Sequence, residues 1–323
     1  MFRNTAAARA LLALVLVLIL GFIFNADGAF LKLGTHRDAL RQASVYGILA
    51  CGMTLVIITG GIDLAVGSVV ALVAVVVSKM TIWWGISPWF SLPAGLLVGA
   101  LCGAVSGFLV VYPRMQPFIA TLAMMVFARG LSKTMSGGVK IATVVPEGDG
   151  TFKSVDVPSV YRFIDSRILG DNITVVTVIF FAVALVFGVL LAKAVWGRDL
   201  YAIGGNEEAA RLSGLPVNRS KMWAYVACGF MAAVAGICQA AQEQQGDPEA
   251  GIGYELNAIA IVVIGGTALL GGQGGMLLTV IGTLTIGYLD KILSLNAVPE
   301  AMRLMLTGAI IVTAVMTQRR RQM

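Results

Sequence analysis

Stretches of about 20 apolar residues recur along almost the whole chain, and that repetition limits what it can fold into. A helix crossing the hydrocarbon core of a bilayer needs about 20 mostly apolar residues. Such runs lie at about 10–26, 42–60, 62–81, 88–112, 116–135, 172–196, 218–241, 253–272, 274–296 and 299–317. Only 12% of the residues are charged and 58% are hydrophobic, whereas a soluble domain carries roughly 25% charge. So few charges cannot cover a water-facing surface. The predicted fold is therefore all-α: a polytopic transmembrane bundle of about ten helices, forming one transmembrane domain over 1–323. The first run has the alternative of being a signal peptide, with Asn25 to Ala29 near a cleavage site. Its length, and the apolar runs that follow, favour an uncleaved helix.

Two polar segments interrupt the runs, at 136–171 and 197–217. Ten spans put both termini on one side. With that side cytoplasmic, its segments carry Arg3, Arg9, Arg114, Lys193, Arg198, Arg211, Arg219, Lys221, Arg319, Arg320 and Arg321, against Asp199, Glu207 and Glu208. Lys and Arg collect on the cytoplasmic side of membrane proteins. The charge pattern thus predicts inside termini, an outer 136–171 segment and a cytoplasmic 197–217 segment. The net charge of +6 reads as this orientation signal, not as a nucleic-acid surface. Cys51, Cys102, Cys228 and Cys238 sit inside apolar runs without zinc-type spacing, so they read as small buried apolar residues.

Glycine marks two further features. Gly95, Gly99, Gly103 and Gly107 form one stripe on the fourth helix, where a second backbone can approach closely. The stripe predicts tight helix packing, which is compatible with a sliding surface used in gating. In addition, Thr59-Gly60-Gly61 followed by Gly67 matches Ile264-Gly265-Gly266 followed by Gly272. The match raises an internal repeat of two halves of about four helices each.

The segment 202–216 reads as a short, complete helix. Asn206 caps it, Glu207 and Glu208 occupy the first turn, Arg211 lies near its end, Gly214 stops it and Pro216 prevents continuation. About two turns are marginal alone in water. The helix must dock, either on its own chain or on a partner.

Five segments together resemble the permease subunit of bacterial sugar ABC importers, in the ribose, xylose and arabinose group. They are 52–68 (including Gly60-Gly61-Ile62-Asp63-Leu64), Gln116 to Leu122, Ala202 to Gly214, Gly253 to Ala260 and Val263 to Gly272. The sequence departs from the usual pattern at Ala65, where Ser is frequent, and at Asn257, where Asp is frequent. The resemblance implies a non-catalytic transport subunit in the bacterial inner membrane, moving a monosaccharide by alternating access. It implies a second permease subunit, identical or related, a separate ATP-binding subunit that holds ATP and Mg, and a soluble or lipid-anchored binding protein outside. It also implies that Gly205, Asn206, Glu207, Glu208, Ala209, Arg211 and Gly214 belong to a coupling segment that docks on the ATPase.

No Gly-Lys pair occurs in the sequence, so a P-loop is excluded. No cofactor or metal is expected in this subunit; His36 is the only histidine. Asp63 reads as the N-cap of the third helix or as a pathway and gating residue. Gln116, Asn257 and Thr267 read as sugar contacts or as polar links between helices. Glu255, Asp290, Lys291, Glu300 and Arg303 read as interfacial charges or a docking rim for the binding protein. The competing function is a self-sufficient secondary carrier or facilitator, which would have no use for a capped helix presented to the cytoplasm.

Overall fold

In lipid every backbone N–H and C=O must find a partner within the protein, and the chain meets this demand with helices. A computed structural model describes residues 2–146 and 151–319. In order, the helices are α1 (Phe2–Ile23), α2 (Leu33–Ile58), α3 (Val66–Ser78), α4 (Pro88–Val111), α5 (Pro117–Ser136), α6 (Ser159–Asp165), α7 (Val175–Lys193), α8 (Val195–Gly205), α9 (Glu207–Leu212), α10 (Val217–Glu243), α11 (Tyr254–Gly265), α12 (Met276–Leu295) and α13 (Glu300–Arg319). Among the described residues, eight helices are long and apolar enough to cross a membrane. The shorter α11 and the C-terminal α13 are not among these eight, against the ten spans expected from the apolar runs. Arg320 and Arg321 lie outside the described residues.

Many large apolar side chains point outward, among them Leu12, Phe22, Leu97, Leu101, Phe127 and Leu185. Patches of this extent are unfavourable in water and cost nothing against lipid tails. Trp84, Trp89 and Phe90 are also exposed, at the turn between the third and fourth spans, the level at which aromatic belts form.

The chain divides into two compact units that interleave in sequence: Met1–Gly61, Thr177–Val217 and Leu256–Met323 in one, Ile62–Val176 and Asn218–Glu255 in the other. They are therefore not the two sequence halves of the expected repeat. In the first unit α2 packs on α12 and is pinned by a buried hydrogen bond of 2.6 Å between Thr54 and Thr279. Phe30, Val17 and Ile292 seal α1 against α12. Gly47 makes room for the Phe180 ring.

In the second unit α3 is fully buried, and α4 and α5 pack on it. It continues into a π-helical turn, Lys79–Trp83, so Lys79 donates to the Met135 carbonyl at 2.6 Å and lies over the Trp83 and Trp84 rings. The glycine stripe of α4 faces two partners. A Cβ at Gly99 would lie 2.5 Å from the Gly229 carbonyl oxygen of α10, and one at Gly103 would overlap the Tyr225 carbonyl. A Cβ at Gly107 would lie 2.9 Å from Met222 Sδ, and Gly95 faces Val77 of α3 instead. The polar region between α5 and α7 holds two hairpins, Val144–Pro146 with Phe152–Ser154 and Arg167–Ile168 with Ile173–Thr174. Tyr161 of α6 is buried and hydrogen bonds Ser78 at 2.7 Å.

Three expectations change. The run at 253–272 is not one helix: α11 has 12 residues, about 18 Å, and 266–275 is irregular. Gly266, Gly271, Gly272 and Gly274 all have positive φ there, which no α-helix accommodates. Next, the segment 202–216 is not one short helix: 202–205 end α8, and Asn206 caps the separate six-residue α9. Finally, the repeated motif shifts by one residue. Gly60 and Gly61 donate to Ile57 and Val56, and Gly266 and Thr267 donate to Val263 and Val262. Both ends are Schellman caps, and they pair Gly60 with Gly266 rather than with Gly265.

The glycine stripe gives a direct prediction. Gly103→Leu should prevent α4 from seating on α10 and abolish a monodisperse peak on size exclusion in detergent. Gly130→Leu, where a Cβ meets nothing within 4 Å, should leave that peak intact.

Candidate functional site

Asn206 leaves the helical conformation between α8 and α9, with φ −161° and ψ 104°. Its Oδ1 accepts from Ala209 N at 2.9 Å, satisfying one of the free donors at the start of α9. Glu207 pairs with Arg211 at 3.1 Å one turn later; both are exposed, so this pair adds little. At the other end Gly214, with φ +78°, closes a further Schellman cap in which Leu215 N donates to Ala210 O. Ala210 is buried with Ile203 of α8 and Val217, and Leu215 packs on them. One face of α9 thus docks on its own chain. The other face leaves Leu212 83% exposed, with Glu208 and Arg211 exposed beside it. The capped helix is packed on one face and presents an exposed leucine on the other.

α8 ties this helix to the first unit's interior through a junction of backbones. A Cβ at Gly204 would overlap both the Ile58 carbonyl oxygen at the end of α2 and the Gly272 amide of the irregular 266–275 segment. A Cβ at Gly271 would lie 2.8 Å from Gly60 N, and one at Gly272 would lie 3.0 Å from Gly205 N. Gly272 N donates to Ile58 O at 2.9 Å, and Tyr201 of α8 donates to Gly274 O at 3.0 Å. The junction satisfies backbone groups that helix ends leave unpaired.

The second unit contains another irregular strand of backbone. After α10 the chain runs back along α3. Gly246 meets Ala74 and Ser78, and Gly251 meets Gly67. Those α3 residues span about 16 Å along the helix axis. Arg129 of α5 holds this segment by donating to Pro248 O at 2.7 Å and Ala250 O at 2.8 Å. Lys133 pairs with Glu249 and Lys140 with Asp247, both at 2.9 Å, and Ile141 forms a β-bridge with Gly246. The hydrogen bond to Asp247 and its negative charge raise Lys140 above the ordinary lysine value. That clasp is therefore present below the ordinary value and lost only as pH climbs through the raised one.

A family model described as the permease component of a branched-chain amino acid transport system matches residues 37–315. The chain belongs to this permease family. It is 36% identical over 311 residues to the ribose import permease protein RbsC of Escherichia coli (strain K12), covering 96% of this chain and 93% of that protein. It is 38% identical over 316 residues to RbsC of Bacillus subtilis (strain 168), covering 96% and 92%. It is 31% identical over 352 residues to the xylose transport system permease protein XylH of Escherichia coli (strain K12), covering 94% and 90%. No solved structure matches the permease.

The permease places its sequence-predicted residues in separate settings. Asp63 is buried; its Oδ1 accepts from Ala65 N at 2.9 Å and its carboxylate accepts from Cys228. It braces the break between α2 and α3, just before the helix start at Val66, instead of capping α3 itself. Gln116 precedes Pro117 and is exposed, and Asn257 is half-buried on α11. Thr267 is fully buried, with its side chain against Gly274. Asp290 pairs with Arg303 at 3.0 Å. Sequence reasoning missed Gly204, Tyr201 and Arg129. Arg129 carried a usable signal, a cation well inside an apolar run, with Lys133 one turn on.

The junction predicts a position-specific cost. Gly204→Ala forces backbone apart and should cost about 1–3 kcal/mol, read as a lower melting temperature and faster hydrogen exchange across 266–275. Gly188→Ala, where the nearest side-chain atom lies at 3.5 Å, should change neither.

Proposed function

We propose that this permease is the membrane-spanning subunit of an ATP-driven importer that carries a monosaccharide, a pentose or related sugar, by alternating access. A separate ATP-binding subunit supplies the ATP and Mg chemistry, and this subunit holds no cofactor. A binding protein delivers sugar from outside, and a second permease subunit, identical or related, completes the pathway. The relatives named for ribose and xylose import support the sugar class.

The observation that carries the reading is α9. Its cap, its Schellman stop and Ala210 fix it on the permease, while Leu212 stays exposed. Burying a leucine is worth about 1.5–3 kcal/mol, so a rigid helix offering one suits a partner groove. A self-sufficient carrier would gain nothing from it.

The described contacts also suit the orientation. The clasp joins 133–141 to 246–250, which lie two spans apart in the ten-span count and so on one face. With both termini cytoplasmic in a bacterial inner membrane, that face is the outer one and α9 is cytoplasmic. The coupling residues are then Gly205 to Ala209, Arg211 and Gly214, with Leu212 added as the apolar anchor.

Leu212→Asp should lower co-purification of the ATP-binding subunit at least tenfold and abolish sugar uptake, with the permease still monodisperse. Glu207→Arg or Glu208→Arg should uncouple transport in the same direction. Wild-type uptake together with normal co-purification in Leu212→Asp would remove α9 from the docking site.

A further inference from the structure

Irregular backbone within a membrane is tolerated only where protein buries it or where it lines a water-filled cavity. The 246–253 segment runs beside α3 from Ser78 to Gly67, and α3 is part of a membrane span. Protein satisfies part of it, through Arg129 on the carbonyls of Pro248 and Ala250. Near its end, Ile252 borders a cavity of about 480 Å³, whose lining also includes Ser68, Val126, Arg129, Lys133 and Glu255.

Glu255 sits at the bottom of this segment. A Cβ on Gly67 would lie 2.5 Å from its Oε2, so the carboxylate rests against the first turn of α3. There the helix dipole favours negative charge. Ser68 is the next residue on that turn. A hydroxyl, a carboxylate and a guanidinium therefore converge on one mostly apolar cavity, the pattern of a small-molecule site. Arg129 and Lys133 hold the irregular segment through Pro248, Ala250 and Glu249, and Glu255 adds a carboxylate on the same lining; charges in a membrane sit where they are paired or reach water.

We infer that this cavity is a water-filled part of the translocation path, in which Ser68, Arg129 and Glu255 contact a hydroxyl-rich solute. The inference rests on the sugar-import reading and adds where the sugar touches the permease. Glu255 is the acceptor for sugar hydroxyls, and Ser68 both donates and accepts. Arg129 positions the irregular segment and offers its remaining N–H groups. Few polar groups suit a passage that must release what it receives.

Thiol labelling tests the water. The native cysteines are buried, so single Ile252→Cys and Val126→Cys variants are exposed to a charged, membrane-impermeant methanethiosulfonate in intact cells or proteoliposomes. Phe152→Cys, on an exposed hairpin, is the positive control. The expected result is labelling of Ile252→Cys and Val126→Cys, both exposed positions on the cavity lining, with uptake falling at least tenfold on reaction. If both stay unlabelled while Phe152→Cys reacts, the cavity is a lipid groove and the inference fails.

Glu255→Gln separates contact with sugar from coupling. Uptake should fall at least fivefold, while the ATP-binding subunit still co-purifies and its hydrolysis is still stimulated by loaded binding protein. Unchanged uptake in Glu255→Gln overturns the carboxylate's role. Labelling needs no ATPase, so failure of the ATPase-docking reading would show up in co-purification and leave this result intact.

Discussion

Everything in this permease follows from one constraint: a backbone in lipid must satisfy its own hydrogen bonds. Helices do so along their length and fail at their ends. The chain deals with those ends by bringing backbone against backbone, and only glycine lets two backbones come so close. At Gly204, Gly271 and Gly272 the end of α8, the end of α2 and the irregular 266–275 segment meet with no side chain between them. At Gly99, Gly103 and Gly229 the same device brings α4 onto α10. The first arrangement sits where a span breaks, and the second where two spans run side by side.

Broken spans are also where chemistry collects. Asp63 braces the break between α2 and α3 by accepting from Ala65 N. Gly266 ends α11 after 12 residues. The 246–253 segment carries carbonyls that Arg129 satisfies. A continuous helix offers a solute nothing but side chains. An interrupted one adds oriented backbone groups and room for charged residues, as transporters require. The irregular backbone of the permease lies at its broken spans, and α9 lies one short helix away from one of them, the junction at Gly204.

The spans were legible because each is a long apolar run bounded by Pro, Gly or charge. α9 was legible because Asn206, Glu207, Glu208, Gly214 and Pro216 each have a local physical role that does not depend on the rest of the fold. Other features were not. The run 253–272 looked like one helix because hydropathy sees only side chains, while Gly266, Gly271, Gly272 and Gly274 change the backbone and leave the mean hydropathy high. α8 was masked by Arg198 and Asp199, whose charge makes an amphipathic helix resemble a loop. The junction of Gly204 with Ile58 and Gly272 joins residues far apart in sequence, and no local pattern records such a meeting. Arg129 was visible as a cation inside an apolar run, but its task became clear only when the carbonyls of Pro248 and Ala250 came within reach.

The central claim is that α9 is the contact through which a separate ATPase moves this protein. Its most direct test is a photo-reactive phenylalanine analogue at position 212, irradiated in membranes that hold the assembled importer. The account predicts a covalent adduct between the permease and an ATP-binding subunit, formed in high yield at 212 and absent at the lipid-facing position 185. An adduct only within the permease, or none at 212 while the importer is active, would contradict it.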